Sequence, residues 1–231
     1  MKITVLTLFP DMFDSFAKTS IIKHAIQKKL VDLEIINFRE YSTYKHQKVD
    51  DTPFGGSAGM LLMLDPIVRC LEKIKTEDAK VYILSPEGIR FNQTVATKIA
   101  QEIKHLVLIA GHYEGFDYRL NHYIDGAISV GDYILTGGEL PAMTICDAVI
   151  RLIPGVINHD SLVHESFETN LLDHPSYTRP AVYEGHAVPE VLLSGNHKLI
   201  AEFNHAERLR ITQIKRPDLY EKYLEKMKGK K

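Results

Sequence analysis

The chain has 231 residues, of which 45% are hydrophobic and 25% charged, and its formal net charge is −2. This composition is typical of a globular protein with a sizeable core, and the length suits one large domain or a medium domain plus a small one. No apolar run approaches the roughly 20 residues of a membrane-spanning helix, and residues 1–10 lack the features of a signal peptide, so we expect a cytoplasmic protein without a membrane partner. Cys70 and Cys146 are too few and too far apart in sequence for a disulfide framework or a thiolate metal site.

Apolar residues follow strand and helix patterns in turn along the first two thirds of the chain. Strands are predicted at residues 3–9, 33–38, 81–84, 106–110 and 127–130, and helices at 12–30, 66–75, 92–104 and 139–152. The second helix is predicted to begin after Asp65 as its N-cap, with Pro66 at the first helical position. Residues 41–59 are polar and Gly-rich, which predicts a loop. Strands that alternate with helices predict a parallel sheet covered on both faces, which is an α/β fold.

The character of the chain changes after Pro154-Gly155. Residues 158–177 are polar, His-rich and without periodicity, which is typical of a linker, and helical segments are predicted at 189–193, 195–211 and 217–228. Residues 198–231 contain ten Lys and Arg against five Asp and Glu, a local net charge of +5, which leaves −7 for the rest of the chain. A basic tail of this kind is typical either of a solvated helix face or of a surface that binds nucleic acid, and charge alone leaves both interpretations open.

Three Gly-containing loops follow predicted strands: Ser85-Pro-Glu-Gly88, Gly111-His-Tyr-Glu-Gly115 and residues 131–141. In open α/β sheets ligands gather at the carboxyl ends of the strands, so three such loops together favour a ligand site. Glycines there let the backbone approach a ligand closely. The sequence contains neither G-x-G-x-x-G after a strand nor G-x-x-x-x-G-K-[ST], which argues against a Rossmann dinucleotide site and against a P-loop.

Two alternatives remain open at this point. Gly55-Gly-Ser-Ala-Gly59 matches the G-x-S-x-G nucleophile elbow of hydrolases, with Ser57 as the candidate nucleophile, although the polar segment before it contains Pro53 and does not resemble the required strand. A non-enzymatic RNA-binding module that uses the basic tail is the second alternative. The eleven histidines include no pair with convincing metal spacing, and the run from His164 to Glu168 is not H-E-x-x-H, so we predict no metal ligands.

A longer motif is more specific. The run Gly131-Asp-Tyr-Ile-Leu-Thr-Gly-Gly-Glu-Leu-Pro-Ala-Met143 resembles the bacterial tRNA (guanine-N1)-methyltransferases of the TrmD type, within the SPOUT superfamily. The resemblance covers nearly the whole chain, through Leu8-Phe-Pro-Asp-Met-Phe13, Val49-Asp-Asp51, Tyr82-Ile-Leu-Ser-Pro86, Gly111-His-Tyr-Glu-Gly115, Arg151-Leu-Ile-Pro-Gly155 and Tyr177-Thr-Arg-Pro180. It implies a homodimer with a knotted cofactor domain at residues 1–157, its deep trefoil knot near the end of that domain. It also implies a flexible linker at 158–170 and a helical tRNA-binding domain at 171–231.

The same resemblance implies an activity, the transfer of a methyl group from S-adenosylmethionine (AdoMet) to N1 of guanosine 37 of tRNA, next to the anticodon. Substrate contacts are implied for Asp50, His112, Glu114 and Ser166. A requirement for divalent magnesium (Mg2+) is also implied, although no spacing in the sequence identifies its ligands. The implied cofactor contacts are Leu84, Ser85, Pro86, Gly111, Val130, Gly131, Asp132, Tyr133, Ile134, Leu135, Gly137, Gly138 and Pro141.

Two catalytic residues are implied by family position, in an active site shared between the subunits. Guanine N1 must lose its proton before it can attack a methyl group, so a carboxylate near N1 acts as general base, and that residue would be Glu165. A guanidinium stabilises the negative charge that develops on O6, and that residue would be Arg151. Glu165 departs from the family pattern, which has Asp before Ser-Phe, and its side chain is one methylene longer. His112 likewise stands where many relatives have Arg, and Ser57-Ala58 replaces a common Gly-Pro.

Overall fold

A computed structural model describes residues 1–158, 165–167 and 169–228. By contact density the chain divides into two units, Met1–Asn158 and His159–Lys231. Residues 159–164 and 168 of the predicted linker, and residues 229–231 of the basic tail, lie outside the described residues. Within the described ranges, no helix combines the length and the apolar character that a bilayer crossing requires.

The first unit is built on five strands that all run parallel, in the order β2-β1-β6-β5-β7. The prediction of a parallel α/β sheet is therefore confirmed, and each predicted strand is present with shifted ends. Two very short strands, β3 and β4, form a separate antiparallel pair. The strand bounds are β1 Lys2–Thr7, β2 Asp32–Asn37, β3 Asp50–Asp51, β4 Leu61–Leu62, β5 Ala79–Arg90, β6 His105–Ile109 and β7 Gly126–Ser129.

Helices cover both faces of this sheet. Alternate residues of a strand point to opposite faces, so Leu106 and Leu108 of β6 join one buried cluster while Val107 and Ile109 join the other. All four of these side chains are fully buried, which is why β6 appears in the sequence as a continuous apolar run. The helices of the first unit are α1 Asp14–Lys18, α2 Ser20–Gln27, α3 Leu64–Ile74, α4 Gln93–Glu102 and α5 Glu139–Ile150.

The prediction of one helix over residues 12–30 is wrong. A 3-10 turn at Pro10–Phe13 precedes α1, and the backbone is extended at Thr19 and has a positive φ of 52° at Ser20. The apolar positions Phe16 and Ile22 are six residues apart, which falls short of two helical turns. The break between α1 and α2 turns the second helix relative to the first, so that Phe16 and Ile22 pack against the same core cluster.

Two local predictions near α3 are also wrong. Asp65 is not the N-cap, because the helix begins at Leu64 after Met63, and the Asp65 carboxylate instead accepts a hydrogen bond from Nε of Arg69 at 2.8 Å. Residues 41–59 are not a plain loop either, since they contain a 3-10 turn at Lys45–Gln47 and the strand β3. A strand of two residues is too short to produce a pattern in the sequence.

Strand β5 is much longer than the four residues predicted. Leu84 and Ile89 are both in register with Ile128 of β7, so residues 85–88 form an insertion opposite one residue of the neighbouring strand. A Cβ on Gly88 would collide with the β7 backbone at Ala127 and Ile128, which makes glycine necessary there. The predicted loop at residues 85–88 is therefore an insertion within a strand.

The second unit is mainly helical. Its elements are a hairpin that the sequence analysis missed, β8 Val182–Tyr183 and β9 His186–Ala187, followed by the helices α6 Glu190–Leu193, α7 His197–Lys215 and α8 Pro217–Lys228. The side chain of Asn196 caps α7 by accepting a hydrogen bond from the Leu199 amide, so this helix begins two residues later than predicted.

Candidate active site

Three chain segments meet at the carboxyl edge of the parallel sheet and enclose a cavity of about 430 Å³. They are the insertion at residues 85–88, the segment 111–117 after β6, and the segment 129–138 between β7 and α5. This is the edge at which open α/β sheets bind ligands. Twelve of the thirteen predicted cofactor residues line the cavity, and Asp132 does not; the twelve are Leu84, Ser85, Pro86, Gly111, Val130, Gly131, Tyr133, Ile134, Leu135, Gly137, Gly138 and Pro141.

Gly138 joins two of these segments. Its amide donates to the carbonyl oxygen of Gly111 at 2.8 Å. A Cβ on Gly138 would lie 2.6 Å from both the Ala110 Cα and the Gly111 nitrogen, closer than real side chains allow. The close backbone contact therefore requires glycine, and it places the first turn of α5 directly against the end of β6.

His112 and Glu114, two of the predicted substrate residues, also line the cavity. The His112 ring packs against Phe9 and Tyr113, with both centroid distances at 4.9 Å. Its Nδ1 atom is buried and finds no hydrogen-bond partner among the described residues. A buried polar nitrogen without a partner is costly, so it favours a ligand that brings a polar group to this side of the cavity.

Asp117 is a further acidic residue in the lining. The Arg119 guanidinium donates to it from Nε at 2.9 Å, and this hydrogen bond lowers the pKa of the Asp117 carboxyl. The carboxylate also accepts a hydrogen bond from the Arg119 amide at 2.9 Å. Asp117 therefore stays ionised and has a partner, which leaves it less available to a ligand than His112 is.

Asp50, a third predicted substrate residue, lies beside the cavity and not in its lining. It is in β3, in register with Leu62 of β4. The Leu62 amide donates to the Gly115 carbonyl at 2.9 Å, and the Asp117 amide donates to the Leu62 carbonyl at 3.0 Å. These bonds fix the β3–β4 pair to the cavity segment 111–117.

The two predicted catalytic residues do not line this cavity. Arg151 follows the last residue of α5, whereas Gly138 immediately precedes the first. Glu165 and Ser166 belong to the second unit, where Glu165 is half-buried and the Ser166 hydroxyl accepts a hydrogen bond from the Asp173 amide at 2.9 Å. Within the first unit, the cavity thus gathers twelve of the predicted cofactor residues, whereas Arg151 is at the far end of α5.

The serine-hydrolase alternative finds no support in the geometry. Ser57 is exposed and lies between β3 and β4, with positive φ angles at Gly55, Gly56 and Gly59. A nucleophile elbow needs a strand before the serine and a helix directly after it, and neither is present here. Among the described residues there is also no cluster of three His, Cys, Asp or Glu side chains that could hold a metal ion.

Glu139 lies behind the cavity lining at Gly137, and neither it nor its partner Thr7 was singled out from the sequence. Glu139 is only 3% exposed, and one of its carboxylate oxygens accepts a hydrogen bond from the Thr7 hydroxyl at 2.8 Å. The sequence offered one signal for Glu139: it is an acidic residue directly after Gly137-Gly138, in a helix whose other buried residues are apolar. Thr7 gave no signal, because it reaches Glu139 across 132 positions of sequence.

The fold and the cavity define a parallel α/β protein with a small-molecule site at the carboxyl edge of its sheet. Comparison with known proteins adds the family: the family model described as tRNA (Guanine-1)-methyltransferase TrmD matches residues 1–222. The chain belongs to this family, and it is therefore an enzyme of the methyltransferase class.

Individual relatives extend over almost the whole chain. Proteins named tRNA (guanine-N(1)-)-methyltransferase are 54% identical in Mycoplasmoides gallisepticum and 53% identical in Ureaplasma urealyticum, each over 99% of this chain and 100% of the relative. A protein of that name from Bacillus cereus is 51% identical over 96% of this chain and 92% of the relative. The similarity therefore includes both units.

Proposed function

We propose that this enzyme transfers a methyl group from AdoMet to N1 of guanosine 37 in tRNA, next to the anticodon. The observation that carries the proposal is the three-segment cavity. It brings together twelve of the residues that the family resemblance implies for the cofactor, although they come from distant parts of the chain. Its volume of about 430 Å³ lies within the usual range for small-molecule sites, roughly 300–1,000 Å³. The names of the relatives supply the substrate class, tRNA, and the atom that is methylated, N1 of guanine.

The lining suits AdoMet in its chemistry. The main chain of Gly137 lines the cavity, and main-chain groups of this kind can satisfy the hydrogen bonds of an adenine ring. Tyr133, Ile134 and Leu135 supply apolar and aromatic surface for the ring faces. When bound, AdoMet supplies an electrophilic methyl group on a positively charged sulfur.

The side chains of the protein then have to activate guanine N1. We assign Glu165 as the general base that accepts the N1 proton, and Arg151 as the guanidinium that donates hydrogen bonds to O6 as negative charge develops there. His112 and Glu114 line the cavity, which supports our assignment of both to orienting the base. A guanine held next to the methyl donor reacts faster because the entropy of bringing the two together is lost on binding and not in the chemical step.

The length of α5 supports an active site shared between two subunits. The helix has 12 residues, which corresponds to about 18 Å from the cavity end to the Arg151 end. This distance exceeds the reach of an arginine side chain. We therefore propose a homodimer in which Arg151 of one subunit serves the cavity of the partner, with Glu165 and Ser166 contributed from the second unit.

Two backbone features support the proposal of a trefoil knot. Strands β6 and β7 lie on opposite sides of β5, yet the segment after β7 returns to contact the end of β6 at Gly111. Residues 131–138 must therefore pass across the carboxyl end of β5, beside its insertion at residues 85–88. A crossing of this kind is what threading one segment through another requires.

We assign recognition of the anticodon branch to the second unit. Its helices α7 and α8 include most of the basic residues 198–231, and phosphate binding depends on such positive charge. Magnesium would act together with the substrate, since the described residues offer no three-ligand protein site for it.

The test is incorporation of labelled methyl groups from AdoMet into unmodified tRNA transcripts, with the guanosine at position 37 present or replaced by adenosine. We expect labelling only of the first transcript. Arg151→Ala and Glu165→Gln should each reduce the rate by roughly 100-fold or more, the usual contribution of an oxyanion stabiliser or a general base. Ser57→Ala is the control and should retain activity. Absence of labelling in every transcript, or full activity of Glu165→Gln, would refute the respective assignment.

A further inference from the structure

Glu139 differs from every other acidic residue that the structure describes. It is the only Asp or Glu among them that is buried, at 3% exposure. Its Oε1 atom accepts the hydrogen bond from Thr7, and the Thr7 oxygen in turn accepts one from the Phe9 amide at 2.9 Å. Thr7 is itself fully buried, so this hydrogen bond is closed off from water.

The Glu139 carboxylate has no cationic partner within 4.0 Å among the described residues. A buried charge without a counter-charge costs several kcal/mol. The N-terminus of α5 offsets part of that cost, because it carries about half a positive charge next to Glu139. In its ionised form the carboxylate carries a full negative charge, which outweighs the partial positive charge of the helix terminus.

That negative charge lies directly behind the cavity wall. A Cβ on Gly137 would collide with Oε2 of Glu139, and it would lie 3.0 Å from the unpartnered Nδ1 of His112. The main chain of Gly137 is therefore the layer that separates the carboxylate from the cavity, since Gly137 lines the cavity and Glu139 does not. Any larger residue at position 137 would displace one of the two polar groups.

We propose that Glu139 is a charge-setting residue that makes this wall of the cavity negative, so that the enzyme binds its cationic cofactor more tightly than the neutral product of methyl transfer. The inference rests on the proposed function, because AdoMet carries a positive sulfonium that becomes a neutral thioether in S-adenosylhomocysteine. S-adenosylhomocysteine is therefore released after methyl transfer, because it has no positive charge for the wall to attract. When the space between them is partly buried, the attraction between the carboxylate and the sulfonium corresponds to roughly a tenfold preference for AdoMet over S-adenosylhomocysteine.

The test is a comparison of dissociation constants, measured by isothermal titration calorimetry for AdoMet, S-adenosylhomocysteine and sinefungin, whose amine replaces the sulfonium. Glu139→Gln keeps an oxygen that can accept the Thr7 hydrogen bond and removes the charge. We expect it to weaken AdoMet and sinefungin about tenfold while leaving S-adenosylhomocysteine within about twofold of its original value. Thr7→Val is the matched control, because it removes the hydrogen bond and keeps the charge; it should affect all three ligands by one common factor.

A second variant tests the same charge without altering Glu139. His112→Arg adds a permanent cation on the side of Gly137 where the Glu139 carboxylate lies, and it should reduce the preference for AdoMet. The neutral His112→Gln should keep that preference. This pair decides the question if Glu139→Gln does not fold. Equal weakening of all three ligands by Glu139→Gln, or an unchanged preference in His112→Arg, would overturn the proposal. Failure of the wild type to bind any of the three would instead refute the proposed function.

Discussion

The two units of the chain bury different kinds of side chain. In the first unit, two clusters of aliphatic and aromatic residues fill both faces of the sheet. In the second unit, the buried apolar side chains among the described residues are Leu171 and Leu219, and Arg208 and Thr212 are also buried. The second unit also leaves Tyr183 64% exposed.

Hydrogen bonds hold the second unit where apolar contacts are few. Arg208 donates from Nε to the Leu172 carbonyl at 3.1 Å and from a terminal nitrogen to the Thr169 hydroxyl at 3.2 Å. The Leu172 amide donates to the Thr212 hydroxyl at 2.8 Å. Because small apolar cores give little stability, the second unit should respond to the loss of a polar contact, whereas the first should respond to a change in packing.

The largest expected effect is that of Gly138→Ala in the first unit. The added Cβ would meet main-chain atoms of Ala110 and Gly111 at 2.6 Å, and a backbone cannot give way as a side chain can. We expect a loss of about 3 kcal/mol of unfolding free energy, measured by urea denaturation, and loss of AdoMet binding in calorimetry. Gly185→Ala in the β8–β9 turn is the control, because its Cβ would meet nothing within 4 Å and only the positive φ of 83° is strained. If Gly138→Ala bound AdoMet normally, the close packing of α5 against the end of β6 would not be needed for cofactor binding.

Arg208→Met should have the next largest effect, confined to the second unit. Removal of its hydrogen bonds leaves the half-buried Leu172 carbonyl without this donor, at a cost of about 2 kcal/mol. We expect faster proteolysis after residue 165 and weaker tRNA binding in a filter assay, with AdoMet binding unchanged. Arg210→Met is the matched control, since Arg210 pairs with Glu207 on the surface and its loss should be barely measurable. Loss of AdoMet binding in Arg208→Met would contradict the separate behaviour of the two units.

A smaller effect is expected from acid, and it originates in the first unit. His105 is 3% exposed, and its two ring nitrogens lie 2.9 Å from the hydroxyl oxygens of Thr4 and Thr76. Burial, together with the nearby positive charge of Lys2, lowers the pKa of His105 below its ordinary value of 6.5. The unfolded chain therefore binds this proton more readily, and the stability should decrease as the pH falls below about 6.5. Melting temperatures of wild type and His105→Gln between pH 8 and pH 5 would show it, with a flatter profile for the variant; parallel profiles would exclude His105 as the cause.

The smallest expected effect is that of thiol reagents on the folded enzyme. Cys70 and Cys146 belong to the two different core clusters of the first unit, and burial raises the pKa of each to about 12. Almost no thiolate is present at pH 8, so iodoacetamide should not react with the native protein. Alkylation followed by mass spectrometry during urea denaturation should then report the opening of the first unit alone. Rapid labelling in buffer would mean that the core opens far more often than its packing indicates.

Much of the fold and part of the candidate site could be predicted from the sequence. Continuous apolar runs identified β1 and β6, and the positions of glycines identified three segments that meet at one cavity. The interruption at Thr19, the extension of β5 and the hairpin β8–β9 could not be predicted, because each depends on contacts with residues distant in sequence. The roles proposed for Arg151 and Glu165 rest on family resemblance, since an arginine after a helix and a glutamate in a polar segment carry no signal of their own.

The sequence by itself determined the parallel α/β arrangement, the positions of the ligand loops and the family, because these depend on local periodicity and on the identity of short motifs. Only the tertiary structure decided that Gly138 must be glycine, that Arg151 lies a helix length from the cavity, and that Glu139 is buried. Each of these is a distance between atoms that folding brings together or holds apart. Thr7 and Glu139 are 132 positions apart in the chain, and only the finished sheet and helix place a hydrogen bond of 2.8 Å between them.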